Sequence, residues 1–222
     1  MATTLTVMRA NVVFNVGRKA GMDAKIDANL NRATLQVVKR MRPKEMQTST
    51  TFSTVEGDFD YTIASGGDIA VADLYAILMV RNNTDEYRLT RGTLTEFEAG
   101  KQTGTSAKGK PYKWFHYGNN LFLYDRVPDS TARTIRVRYL KRPATMSSAS
   151  TTFPLNDEWI EVVEELATAL TFSNLNQADK VSLHTAVFET LITKMETPEQ
   201  IEDEAPDGQV FMVSNTGIHE DF

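Results

Sequence analysis

The sequence predicts an α+β chain: a helical bundle built from an N-terminal and a C-terminal helical pair, a β-rich insertion between them, and an extended C-terminal tail. Three observations carry this expectation. Apolar residues recur at helical spacing near both ends of the 222-residue chain. Between those regions lie threonine, aromatic and β-branched residues broken by glycine clusters, the texture of short strands and turns. No repeat of fixed length appears and no linker separates the parts, so the strands are inserted rather than appended. The expected divisions are 1–47 for the first helical pair, 48–145 for the insertion, 146–197 for the helical hairpin and 198–222 for the tail.

Leu5, Met8, Val12 and Val16 share one helical face, and Gly17 follows where a left-handed stop belongs. In the next helix Ile26, Leu30, Ala33, Val37 and Met41 step by four, three, four and four residues, with Asp23 available as cap and Pro43 closing the run. "TTFSTVEG", "FDYTIAS", "LYAILMVRN" and "EYRLTRG" read as successive strands, "LTEFEAG" as one helical turn and "GKQTGTSAKGKP" as a long loop. "WFHYGNNLFLYDR" alternates about a turn at "GNN". Trp114, His116, Leu121 and Leu123 fall on one face, and Phe115, Tyr117, Phe122 and Tyr124 on the other. In "TIRVRYL" Ile135, Val137 and Tyr139 alternate with Thr134, Arg136 and Arg138, a half-buried strand with an arginine face.

Two helices follow. Asn156 or Asp157 is placed to cap "NDEWIEVVEELATALTFSNL", whose stripe is Trp159, Val163, Leu166 and Leu170. "QADKVSLHTAVFETLITKME" carries Val181, His184, Phe188, Leu191 and Met195. The short gap between them predicts an antiparallel hairpin.

Composition narrows the chemistry. Without cysteine there are no disulfides, thiol nucleophiles or thiolate metal sites, and no stretch is long and apolar enough to span a membrane. The N-terminus has no basic leader or small-residue cleavage site, so the expectation is a soluble intracellular chain. A net charge of −5 argues against a nucleic-acid coat protein. Basic residues nevertheless gather at Arg133, Arg136, Arg138, Lys141 and Arg142, either as an electrostatic interface or as a solvated face.

No motif supports catalysis. Gly104, Gly109 and Lys110 approach the phosphate-loop spacing, but Pro111 stands where a hydroxyl must hold magnesium, and the segment after it reads as extended rather than helical. His116, His184 and His219 lie far apart without metal-ligand spacing, and His184 reads as a hydrogen-bonded core or interface histidine. Glu158, Glu161, Glu164 and Glu165 read as helix-surface carboxylates. No cofactor or metal is expected, nor an enzyme. Asn82-Asn83-Thr84 reads as a turn.

The order of parts, with "LFLYDRVPD" after Gly118, "IRVRYLKRP", and Pro154 four residues before the pair Glu158-Trp159, resembles the head-to-tail adaptor proteins of tailed bacteriophages, also called connector, neck or tubular-tail proteins. The resemblance covers roughly residues 5–197. It implies a non-catalytic virion protein in the neck, assembled in the host cytoplasm. Its partners would be the portal protein, tail, nozzle or stopper proteins, and further copies of itself in a ring of about twelve around the path of double-stranded DNA.

The tail fits such a role. Val210, Phe211, Met212 and Val213 form an apolar island in a polar segment, with Ile218 and Phe222 beyond it. These residues either dock on the portal or the next subunit, or fold back on their own bundle. The alternative function is a nucleic-acid-binding module using the aromatic and basic hairpin 110–142, which requires exposed rings beside cations.

Overall fold

The structure is a computed structural model that describes residues 3–17, 21–102 and 107–195. Among these, five α-helices and eleven strands form a mixed α+β architecture. The helices are α1 (Leu5–Val16), α2 (Asp23–Met41), α3 (Leu94–Gln102), α4 (Ile160–Asn174) and α5 (Ala178–Met195). The strands are β1 (Gln47–Ser53), β2 (Asp60–Ala64), β3 (Ile69–Ala70), β4 (Leu74–Asn82), β5 (Tyr87–Arg88), β6 (Thr90–Arg91), β7 (Lys108–Gly109), β8 (Lys113–Tyr117), β9 (Asn120–Tyr124), β10 (Val127–Pro128) and β11 (Thr134–Lys141).

Helices from the two ends of the chain share one apolar core. Leu5, Met8, Val12 and Val16 of α1 are buried against Ile26, Leu30, Ala33 and Val37 of α2 and Val162, Val163, Leu166 and Ala167 of α4. Helix α4 packs on α1, α2 and α5. The expected end of α1 is present: Gly17 is left-handed at φ +87°, and its N–H closes on the Phe14 carbonyl. Asp23 is not the cap of α2. Met22 holds that position, and Asp23 stands in the first turn, 3.8 Å from Arg9, where the helix dipole favours an acid. Asn156 precedes the short turn Asp157–Trp159 that leads into α4, without a side-chain capping bond.

The β residues form a four-stranded sheet of order β1-β11-β4-β5, a five-stranded sheet of order β3-β2-β9-β8-β6, and a small parallel pair of β7 and β10. A second apolar core lies among Phe52, Tyr61, Ile77, Val80, Trp114, Leu121, Leu123, Ile135 and Val137. The run read as one strand, "EYRLTRG", serves both larger sheets. Tyr87–Arg88 pairs with β4, Thr90–Arg91 pairs with β8, and buried Leu89 stands between them. The segment "LTEFEAG" is the start of a longer helix, α3. Its Phe97 meets Phe59, Phe115, Phe122 and Tyr124 at centroid distances of 4.9–5.9 Å, so α3 covers the second face of the hairpin. The expected long loop enters the structure at both margins, as the end of α3 and as β7, with residues 103–106 outside the described set.

The four-stranded sheet joins the two cores. The inner face of β11, with Ile135, Val137 and Tyr139, belongs to the β core. Its other face is divided. Leu140, with Tyr75, Ala76 and Leu78 of β4, packs into the helical core, whereas Arg136 is exposed and Arg138 half-buried. A bulge in β4 at Leu78, between the partners of Arg138 and Tyr139, marks this division.

Candidate interaction surfaces

The cations of the four-stranded sheet are brought together by register. Arg136 of β11 lies opposite Arg81 of β4, and Arg81 lies opposite Arg88 of β5. One step along, Arg138 stands beside Ser49 and Met79. None of these four strands contains an aspartate or glutamate. Where the helices leave the sheet, Lys44, Gln47, Thr48, Ser49, Arg136 and Arg138 line a groove of about 400 Å3. Arg136 donates to Ser49 Oγ at 3.0 Å, and Arg138 donates to Gln47 Oε1. These bonds hold the arginine stems along β1 with their charge toward the groove.

The basic residues named from the sequence separate into three places. Arg136 and Arg138 share the groove. Lys141 falls on the other side of β11 by strand alternation, and Arg142 follows the strand, its N–H bonded to the Asp73 carbonyl at 2.6 Å. Arg133 is 4 % exposed and turned inward. Its guanidinium holds Asp129 in a two-pronged pair at 2.6 and 3.0 Å, reaches Asp85 at 3.0 Å, and donates to the Thr131 carbonyl at 3.1 Å. Asp85 also accepts from Lys110 and from Asn82 Nδ2. The Asn82 side-chain oxygen in turn accepts the N–H groups of Thr84 and Asp85, which makes the expected turn at 82–84. Arg133 holds the Asp129 carboxyl down at about 2, and Lys110 holds Asp85 below the usual carboxylate range. This cluster fastens the β4–β5 turn to the loop before β11.

The aromatic hairpin faces inward on both sides. Trp114, Leu121 and Leu123 lie in the β core, while Phe115 stacks on Phe122 at 4.7 Å under α3. Tyr124 donates to Glu96 Oε2 at 3.1 Å, and desolvation pushes its phenol well above the ordinary value. Burial, then the charge of Arg91, lowers the His116 imidazole, so it is neutral at pH 7. Of the hairpin region's rings, Tyr112 and Tyr117 are exposed, and these two are what the nucleic-acid alternative would have for stacking.

A feature the sequence reading passed over lies on the helices. Val7, Ala10 and Phe14 form an exposed stripe on α1, with Phe14 73 % exposed. Leu183, Ala186, Val187 and Thr190 form another on α5. The signal was available: α1 carries Val7, Ala10 and Phe14 in addition to the core stripe Leu5, Met8, Val12 and Val16, so its apolar residues are not confined to one face. His184 is a satisfied interface histidine, its Nδ1 2.7 Å from Glu165 Oε2 and its ring stacked on Phe172. Burial raises the Glu164 carboxyl, which accepts from Asn11 at 2.9 Å. Val210, Phe211, Met212, Val213, Ile218 and Phe222 lie outside the described residues.

Among the described residues there is no cluster of metal-ligating side chains, and no helix is long and apolar enough to cross a membrane. No curated protein matches the chain. The SU10 adaptor protein family does, over residues 4–210, a span that takes in the helical core, both sheets and the surfaces just described. The chain therefore belongs to the SU10 adaptor protein family of phage head-to-tail adaptors.

Proposed function

We propose that this chain is one subunit of a closed ring, of about twelve copies, that sits between portal and tail in the virion neck and surrounds the path of double-stranded DNA. Family membership supports a structural role at the head-to-tail junction with portal and tail proteins as partners. The observation that carries the reading further is the pair of uncharged, exposed stripes on α1 and α5. These helices each pack on α4 and carry different stripes, and a closed ring of more than two subunits needs two different, complementary surfaces on each copy. The stripe around Phe14 of one copy would pack on the stripe around Leu183 of the next.

In this arrangement the helices form the bundle that makes the ring wall, and the sheets face the tail or the outside. The apolar island Val210 to Val213, with Ile218 and Phe222, docks on the portal or a neighbouring subunit and orders on assembly. The protein assigned this role carries out no bond chemistry and requires no cofactor. The test is quantitative mass spectrometry of purified virions. Copies of this chain near one per portal subunit are expected, and absence from the particle would overturn the reading.

A further inference from the structure

We propose that the groove lined by Lys44, Arg136 and Arg138 is the seat of the chain's own acidic C-terminal segment, residues 196–207. Its first support is charge. Residues 196–222 hold eight of the 29 acidic residues and none of the 24 lysines and arginines, so the remainder of the chain has 21 acids against 24 bases. The acids concentrate at Glu196, Glu199, Glu202, Asp203, Glu204 and Asp207. The sheet face is the complement. Its strands lack acids altogether, and Arg136, Arg81 and Arg88 lie side by side across three strands about 5 Å apart, well within a Debye length. Arg136 and Arg81 are like charges set directly opposite, which destabilises a sheet, and an acidic chain laid across them reverses that cost.

The second support is where the described chain ends. Asn29 in the first half of α2 bonds Thr171 near the end of α4, and Glu45 just past α2 accepts the N–H of Asn156 just before α4, so α2 and α4 are antiparallel. Helix α5 returns antiparallel to α4 and therefore runs alongside α2, with Arg40 paired to Glu189 at 2.7 Å near both C-termini. From Glu189 to Met195 the helix advances roughly 9 Å further, in the direction in which α2 leads into Lys44 and β1. The acidic segment thus starts at the end of the molecule where the groove lies. Extended, twelve residues span up to roughly 40 Å, ample to cross it. Because the segment is tethered there, its effective concentration is in the millimolar range and modest ion pairing suffices to hold it. Duplex DNA, the competing anion, has no such tether, and the chain as a whole repels it. The seated segment would set the point from which the apolar island Val210 to Val213 emerges.

The absence of native cysteine makes the test clean. In the full-length protein, Ser49→Cys at the groove is paired with Ala205→Cys, and a control pair joins Ala205→Cys to Thr62→Cys, an exposed position on the five-stranded sheet. Under mild oxidation at low salt, the groove pair is expected to form an intramolecular disulfide roughly tenfold faster than the control pair, and raised salt should remove the difference. Arg136→Glu with Arg138→Glu should do the same at low salt. So should Glu202→Gln, Asp203→Asn and Glu204→Gln, which leave the folded body untouched. Equal rates for the two pairs, or a rate indifferent to salt and to both charge variants, would overturn the proposal. Disulfides formed only between chains would assign the groove to a neighbour's segment instead. A groove pair no faster than control, together with retention of duplex DNA that the arginine variants abolish, would assign it to nucleic acid. All of these are read on isolated protein and do not depend on the ring.

Discussion

Arg133 shows how a residue of one chemical type takes opposite roles according to its place. Arg136 and Arg138 line the groove and bond Ser49 and Gln47, while Arg133 is enclosed by Asp85, Asp129 and the Thr131 carbonyl. Asp129 titrates at about 2 in the folded chain against an ordinary value of 3.8, so its pairing stabilises the fold above about pH 4 and is lost as the pH falls through 2. Asp129→Asn should therefore lower the urea midpoint by a constant amount from pH 7 to about pH 4, and the gap from the unaltered protein should close toward pH 2. Glu164 has the opposite sign. Its raised value makes its contribution complete below the ordinary glutamate range and lost as the pH rises through the folded value. Glu164→Gln should therefore gain stability relative to the unaltered protein between pH 4 and pH 7, as followed by the same urea midpoints.

At the scale of elements, local pattern was legible and long-range pairing was not. The stripe of α2, the alternation of "TIRVRYL" and the two faces of the hairpin could all be read because each is set by residues two to four positions apart. The row Arg136, Arg81, Arg88 could not, because it depends on strands 81 and 136 meeting in register across 55 positions. The hairpin's second face, Phe115, Phe122 and Tyr124, was visible, but not what covers it. Helix α3 is short and weakly amphipathic, and its aromatic anchor, Phe97, declares itself only against the rings beneath. The seat of α3 is tight. A Cβ on Gly92 would stand 1.4 Å from Tyr124 Oη and 2.8 Å from Glu96 Oε2. Gly92→Ala should break the Tyr124–Glu96 bond and cost about 1–3 kcal/mol, with faster hydrogen exchange in α3 ahead of the sheets.

For the whole molecule, the proposed ring would use two exposed helix stripes that the monomer's own core does not need. Phe14 is 73 % exposed, so Phe14→Glu should change monomer stability by less than about 0.5 kcal/mol while blocking incorporation into particles. Unchanged helical circular dichroism with normal incorporation would remove α1 from the ring contact. The strands that join the two cores have a mechanical meaning. Leu140 of β11 and Tyr75, Ala76 and Leu78 of β4 are set in the helical core, while the same two strands carry Val137 and Val80 in the β core. Tension applied between the helical core and the β core would meet no hinge among the described residues of these two strands. It would travel along the paired strands β11 and β4 and load their ladder, many hydrogen bonds at once, so the two cores would resist separation as a strut rather than as two bodies on a tether.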